Sequence, residues 1–121
     1  MVGTPFRLQG RDPRTGLDCI GLAACALERS GISAVSPEGY SLRNLSITDW
    51  LACAYRSGFE PVTGERQRGD LLLVCPGPAQ HHLLIALGAE CFIHAHAGLR
   101  QVVVQRGLSG WPVIKHWRLA T

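Results

Sequence analysis

Residues 17–30 read LDCIGLAACALERS, an Ala- and Leu-rich run that opens on an acidic residue, closes on Glu28-Arg29-Ser30 and is followed by Gly31. An acceptor at the start and a glycine C-cap at the end are the stop signals of a helix. Because Ala23, Ala24, Cys25 and Leu27 leave hardly any polar face before Glu28, this helix is expected inside the domain. From Gly69 the pattern changes to short apolar runs: Asp70 to Cys75, His82 to Leu87, Cys91 to Ala95, Gln101 to Gln105 and Val113 to Leu119. Runs of this length between Gly, Pro and polar turns predict strands. The short connectors Gly88-Ala89-Glu90 and Ala97-Gly98-Leu99 predict hairpins, hence an antiparallel sheet. Helices first and sheet second make the chain α+β, with N-terminal helices packed on a C-terminal antiparallel β-sheet.

Working outward, Ser46-Ile47-Thr48-Asp49 resembles a capping signal that opens a second helix through about Ser57. Ile47, Trp50, Leu51, Ala54 and Tyr55 fall at helical spacing along it, and Gly58 ends it. Residues 32–45 read as a loop pinned by Tyr40 and Leu42, and Gly3 to Gly16 as an irregular arm leading to a turn at Asp12-Pro13-Arg14. The 121 residues suit a single domain, expected over 1–121. With 46% hydrophobic and 17% charged residues, the chain is no disordered segment. A formal charge of +3 from singly scattered basic residues gives no footprint for nucleic acid. No stretch approaches the roughly 20 apolar residues that span a bilayer, so no membrane partner is expected. Met1 to Arg11 lacks a signal-peptide core, so synthesis in the cytoplasm without a signal peptide is expected.

Five cysteines, at 19, 25, 53, 75 and 91, are odd in number and form no CxxC pair, so buried free thiols are the default. Cys19 stands apart, because it falls in the first turn of the first helix. There the unpaired N–H groups and the positive end of the dipole favour a thiolate, which makes it a candidate nucleophile. Cys25 and Cys53 fall inside helices, and Cys75 and Cys91 on or beside strands, where small buried hydrophobes are expected.

A nucleophilic thiol needs a base, and the histidines are at 81, 82, 94, 96 and 116. His82 and His94 lie twelve positions apart around Gly88, so an odd-numbered hairpin loop would place them directly opposed, with Cβ atoms about 5 Å apart. One imidazole could then take the thiol proton while the other fixes its tautomer and orientation. A two-residue turn would shift the register and separate them onto opposite faces. His81 alternates to the other side, and His116, on the last strand, reads as a surface or core filler. His96 shares a face with His94, which also permits zinc ligation by His82, His94, His96 and a cysteine. No compact ligand motif supports that option, so no metal or cofactor is assigned.

Five blocks now stand in order: Gly3-Thr4-Pro5-Phe6-Arg7, Leu17-Asp18-Cys19-Ile20-Gly21-Leu22, Arg68-Gly69-Asp70-Leu71-Leu72, His82-Leu83-Leu84-Ile85-Ala86-Leu87 and Phe92-Ile93-His94-Ala95. Over nearly its whole length the chain resembles the NlpC-type cell-wall cysteine peptidases. The resemblance implies a papain-like fold in which a helix presents Cys19 against a sheet carrying the histidines. By position, Cys19 would be the nucleophile, His82 the base and His94 the residue orienting it. It also implies peptidoglycan stem peptides as substrate, cut between D-γ-glutamate and a diamino acid such as meso-diaminopimelate through a thioester. The Cys19 N–H would be one oxyanion donor and Gln9 a second. Phe6 and Ile20 depart from the Tyr and Ser that many relatives have, and Gln9-Gly10 replaces Gly-Gly, so the differences gather at the substrate pocket, where Phe6, Asp18 and Gln9 are placed. Asp18 and Asp70 are expected to act mainly as a helix acceptor and at a strand start, with Asp18 also contacting a substrate amine. A bare domain of this kind resembles peptidases carried by phage tails or gene-transfer particles, which implies tail or particle proteins as partners and virion or particle association. The alternative reading is a catalytically inactive tail or wall-binding component of the same fold. Amidase and acyltransferase chemistry use the same side chains.

Overall fold

A computed structural model describes residues 2–7, 10–12, 14–29, 31, 47–76, 81–96, 99–108 and 110–119, without the side chains of 47–51. Gln9, Tyr40 and Leu42 lie outside the described residues. In chain order the elements are β1 (Arg11–Asp12), β2 (Gly16–Leu17), α1 (Cys19–Arg29), α2 (Ile47–Arg56), β3 (Phe59–Pro61), β4 (Leu71–Val74), β5 (His82–Ala86), β6 (Cys91–His96), β7 (Gln101–Arg106) and β8 (Val113–Leu119). The expected order, helices and then antiparallel sheet, is what the structure has.

Local chemistry sets the limits of α1. Asp18 is its N-cap: the buried carboxylate accepts the Gly21 N–H at 2.8 Å, satisfying a donor that the first turn leaves open. Arg29 sits in the last turn, and Gly31, at φ 81°, takes the left-handed position that ends the helix. Helix α2 follows the predicted span, with Ala54 in the core, but Tyr55 is 81% exposed and so leaves the apolar stripe assigned to it.

The principal sheet has six strands in the order β3-β8-β4-β5-β6-β7, and neighbouring pairs are antiparallel. Alternation divides its side chains between two faces. Helix α1 covers one face, packing Cys19, Ile20 and Leu27 with Leu71, Leu73, Leu83 and Trp117, and Leu22 and Cys25 with Ala95 and Val102. Leu72, Val74, Leu84, Ala86 and Phe92 form a second cluster, against which Leu108 and Trp111 pack. Strand β4 is therefore buried at every position, the pattern of a strand with both faces covered.

The arm is more ordered than its composition predicts. Gly3 donates to the Val102 carbonyl at 2.8 Å, Val102 to Thr4 at 2.8 Å and Phe6 to Arg100 at 2.8 Å, so the arm pairs with the edge of β7. Arg11–Asp12 and Gly16–Leu17 then form a two-stranded hairpin where a bare turn was expected. Unpaired backbone groups on the arm and on an edge strand satisfy each other, and composition does not register that.

The hairpin reaches α1 through a glycine contact. A Cβ at Gly21 would collide with the Gly10 carbonyl oxygen, and one at Gly10 with the Gly16 carbonyl oxygen. Gly21→Ala is expected to push the arm off the helix at a cost of about 1–3 kcal/mol, the usual range for overpacking. A lowered urea midpoint with an unchanged slope would show this, and an unaltered midpoint would refute it.

Candidate active site

His82 opens β5, directly opposite Val74 of β4, and His94 lies in β6. The β5–β6 register pairs Ile85 with Ile93 and Ala86 with Phe92, and Leu87 donates to the Cys91 carbonyl at 2.8 Å. The hairpin thus turns about Ala89, not Gly88. The two histidines share a face, as expected, but they are diagonal neighbours and not directly opposed. The three residues between Leu87 and Cys91 keep the loop odd and preserve the face, while moving its centre shifts the partner by two. Imidazole rings span that diagonal: His82 Nε2 lies 2.8 Å from His94 Nδ1, with the rings edge to face.

Two further groups extend this pair. Gln105 of β7 places Oε1 2.8 Å from His94 Nε2, and its Nε2 donates to the Gly107 carbonyl at 3.1 Å. Trp111, in the connection before β8, meets His82 and His94 edge to face at centroid distances of 6.3 and 6.0 Å. Sequence reasoning singled out neither. Gln105 stands in an ordinary strand pattern and Trp111 in a Gly-Pro connection, and only strand pairing brings them here.

Cys19 is the first residue of α1 and is 1% exposed. The backbone N–H groups of Leu83, Ile20 and Cys19 act on its sulfur in favour of the thiolate. Cys19 packs with Leu83 on the face of β5 that α1 covers, whereas alternation turns the His82 side chain, like Leu84, to the other face. Among the described residues no hydrogen bond joins Cys19 to His82. Burial pushes the thiol up to about 12, with the Asp18 carboxylate acting in the same direction and the three N–H groups against it. The helix start was expected to favour a thiolate; desolvation outweighs it here. Burial, with His94 and His96 nearby, pushes His82 down to about 3. His94 is also lowered, by burial first, with Gln105 opposing and His96 assisting. At neutral pH the thiol and both imidazoles are therefore uncharged.

The remaining assigned positions fall around this centre. Phe6 is half-buried against the cluster of Leu17, Leu22, Cys25, Ala95 and Val102, on the α1 side. Asp18 is wholly buried, and its Oδ1 lies 3.2 Å from Arg11 Nη1. Asp70 is also buried and accepts from His116 Nε2 at 2.6 Å, Arg118 Nε at 2.8 Å and the Gln67 N–H at 2.9 Å. His116 is thus no filler; it clamps β8 to the residue preceding β4. Cys19 and Cys25 are buried free thiols as expected, whereas Cys53, Cys75 and Cys91 are only partly buried. His82 and His94 turn nitrogens toward each other, and His96 Nδ1 accepts the Leu99 N–H at 3.1 Å, so the three rings do not converge as zinc ligands. Among the described residues no cluster of His, Cys, Asp or Glu is arranged to hold a metal ion. Among them, too, no helix is long and apolar enough to cross a membrane.

A buried helix that presents a cysteine at its N-terminus to an antiparallel sheet carrying paired histidines defines the papain-like class of α+β proteins. Within that class the chain belongs to the NlpC/P60 family, whose pattern matches residues 3–119. Members of this family are typically cysteine peptidases and peptidoglycan hydrolases. Among solved structures, NlpC2 from Trichomonas vaginalis is similar at 20% identity and a TM-score of 0.70, over 97% of this chain and 43% of that one. An NlpC/P60 family protein from Bacillus cereus ATCC 10987 shares 19% identity at a TM-score of 0.66, over 99% of this chain and 37% of its own. The NlpC/p60 domain of the peptidoglycan hydrolase SagA shares 23% at a TM-score of 0.60, over 99% of this chain and 89% of that domain. The chain thus spans less than half the length of the first two structures. No curated protein matches its sequence.

Proposed function

We propose that this chain is a cysteine endopeptidase that hydrolyses peptidoglycan stem peptides at the amide between D-γ-glutamate and a diamino acid. The observation that carries the reading is the 2.8 Å His82–His94 contact on β5 and β6, with Cys19 at the start of α1 packed against Leu83, the residue next to His82. In the first step the sulfur attacks the amide carbonyl carbon as its proton passes to His82 Nδ1. The tetrahedral oxyanion is held by the Cys19 N–H at the helix start, with Gln9 as second donor. His82 then returns the proton to the leaving amine nitrogen as the C–N bond breaks, which leaves a thioester on Cys19. Water adds to the thioester and gives a proton to His82, and collapse restores the thiol and releases the acid. His94 holds the His82 ring in the orientation these transfers need.

Phe6 and Gln9, on the arm, are proposed to border the peptide, and Asp18 to act on the substrate amine only through the buried field behind Cys19. Delivery to the wall by a phage tail or gene-transfer particle is the context we propose, on the sequence resemblance alone. Incubation with defined muropeptides, followed by mass analysis, is expected to show products separated at the γ-glutamyl bond. Binding to sacculi with no new amine released would instead establish the non-catalytic wall-binding reading. Cleavage at a different amide would keep the chemistry and replace the substrate.

A further inference from the structure

We infer that Gln105 is a positioning residue whose amide sets the tautomers of His94 and His82, leaving the lone pair at the end of the relay on His82 Nδ1. The inference deepens the reading of His82 as the base and rests on it for its consequence, though not for its geometry.

A backbone carbonyl can only accept, so the 3.1 Å contact to the Gly107 carbonyl requires the NH2 end of the Gln105 amide. The amide oxygen is thereby turned to His94 Nε2, at 2.8 Å. An amide oxygen also only accepts, so His94 Nε2 carries the hydrogen. A neutral imidazole has one N–H, which leaves His94 Nδ1 as an acceptor. At 2.8 Å it receives the hydrogen on His82 Nε2, and His82 Nδ1 is left unprotonated.

The fold holds the amide for this purpose. Gln105 is opposite Phe92 and Val103 is opposite His94, so Gln105 reaches the ring diagonally on the same face. Gly107, at φ 69°, turns its carbonyl back toward the strand, while its N–H donates to the Glu90 carbonyl at 2.8 Å in the β5–β6 hairpin. Two hairpins thus fix the orientation. The titratable group near the pair is His96 on β6, and the Arg66 guanidinium lies 5.8 Å over the ring of Phe92, the residue opposite Gln105. Val74 from β4, Leu84 from β5 and Trp111 before β8 bring no charge to that face. His96 presents a lone pair to the Leu99 N–H and does not compete for the relay proton.

The first test needs no turnover. Nitrogen NMR of the histidine-labelled chain at neutral pH is expected to show His94 and His82 both protonated at Nε2. A proton on Nδ1 of His94 overturns the inference. Kinetics on a muropeptide give the second test. Gln105→Leu removes the acceptor and is expected to lower kcat about 10- to 100-fold with KM unchanged, the scale of losing a partner that orients a functional histidine. Gln105→Glu keeps an acceptor and adds negative charge beside His94. It is expected to restore most of kcat and to move the acid limb of the pH profile upward, because the carboxylate favours imidazolium. Unchanged kcat and pH profile in Gln105→Leu would overturn the inference. A wild-type chain that hydrolyses nothing would overturn the peptidase reading, and the nitrogen spectrum would still decide the tautomers.

Discussion

Cys19→Ala is expected to reduce hydrolysis of muropeptides by at least about 10³-fold, the scale on which single members of a nucleophile–base pair act. The sulfur is the only protein atom in the proposed mechanism that forms a covalent bond to substrate carbon. The substitution leaves the fold nearly intact, because removing one small buried atom costs on the order of 1 kcal/mol. Release of new amines and product masses measure the first effect, and the thermal midpoint measures the second. Cys53→Ala, on α2 and away from the histidines, is the control and should retain full activity. Cleavage surviving Cys19→Ala in a folded chain would remove this residue from the chemistry.

Asp70→Asn is expected to give the largest loss of stability among polar substitutions, about 2–4 kcal/mol at pH 7, as for removing one partner of a buried ionic network. The carboxylate is 1% exposed and ties β8, through His116 and Arg118, to the connection before β4, through the Gln67 N–H. Desolvation opposes its ionisation, but Arg118, the Gln67 N–H and His116 together outweigh that and hold it well below the usual carboxylate range. A carboxyl lowered on folding stabilises the native state above its unfolded value of about 4, and that stability is lost as pH falls toward the folded value. The gap between wild type and Asp70→Asn should therefore be full at pH 7 and narrow on acidification toward pH 3. Urea midpoints at the two pH values measure it. Equal midpoints at pH 7 would show that the clamp contributes nothing.

Several elements are legible because their information is local. The glycine stop and acidic start around residues 17–31 define α1, and the short apolar runs after Gly69 define the main strands. The three-residue connector between Leu87 and Cys91 is enough to put His82 and His94 on one face. Counting its centre as Ala89 would have predicted the diagonal as well. The order of the blocks carries the family, which the pattern over 3–119 shows.

Other features depend on partners far away in the chain. Nothing near Val113–Leu119 says that β8 lies between β3 and β4, yet that insertion is what brings His116 and Arg118 to Asp70. Pairing of the arm with β7 is of the same kind. So is the placement of Gln105 and Trp111 beside the histidines.

By itself, then, the sequence determined which segments are helix and strand, which family they compose, and which cysteine and histidines deserve notice, because caps, periodicity and block order are properties of neighbours. Tertiary structure alone decided the strand order, the protonation state of the thiol and imidazole, and the chain of contacts from Gly107 to His82. Those depend on burial and on hydrogen bonds between strands, and neither exists until residues distant in the chain have packed together.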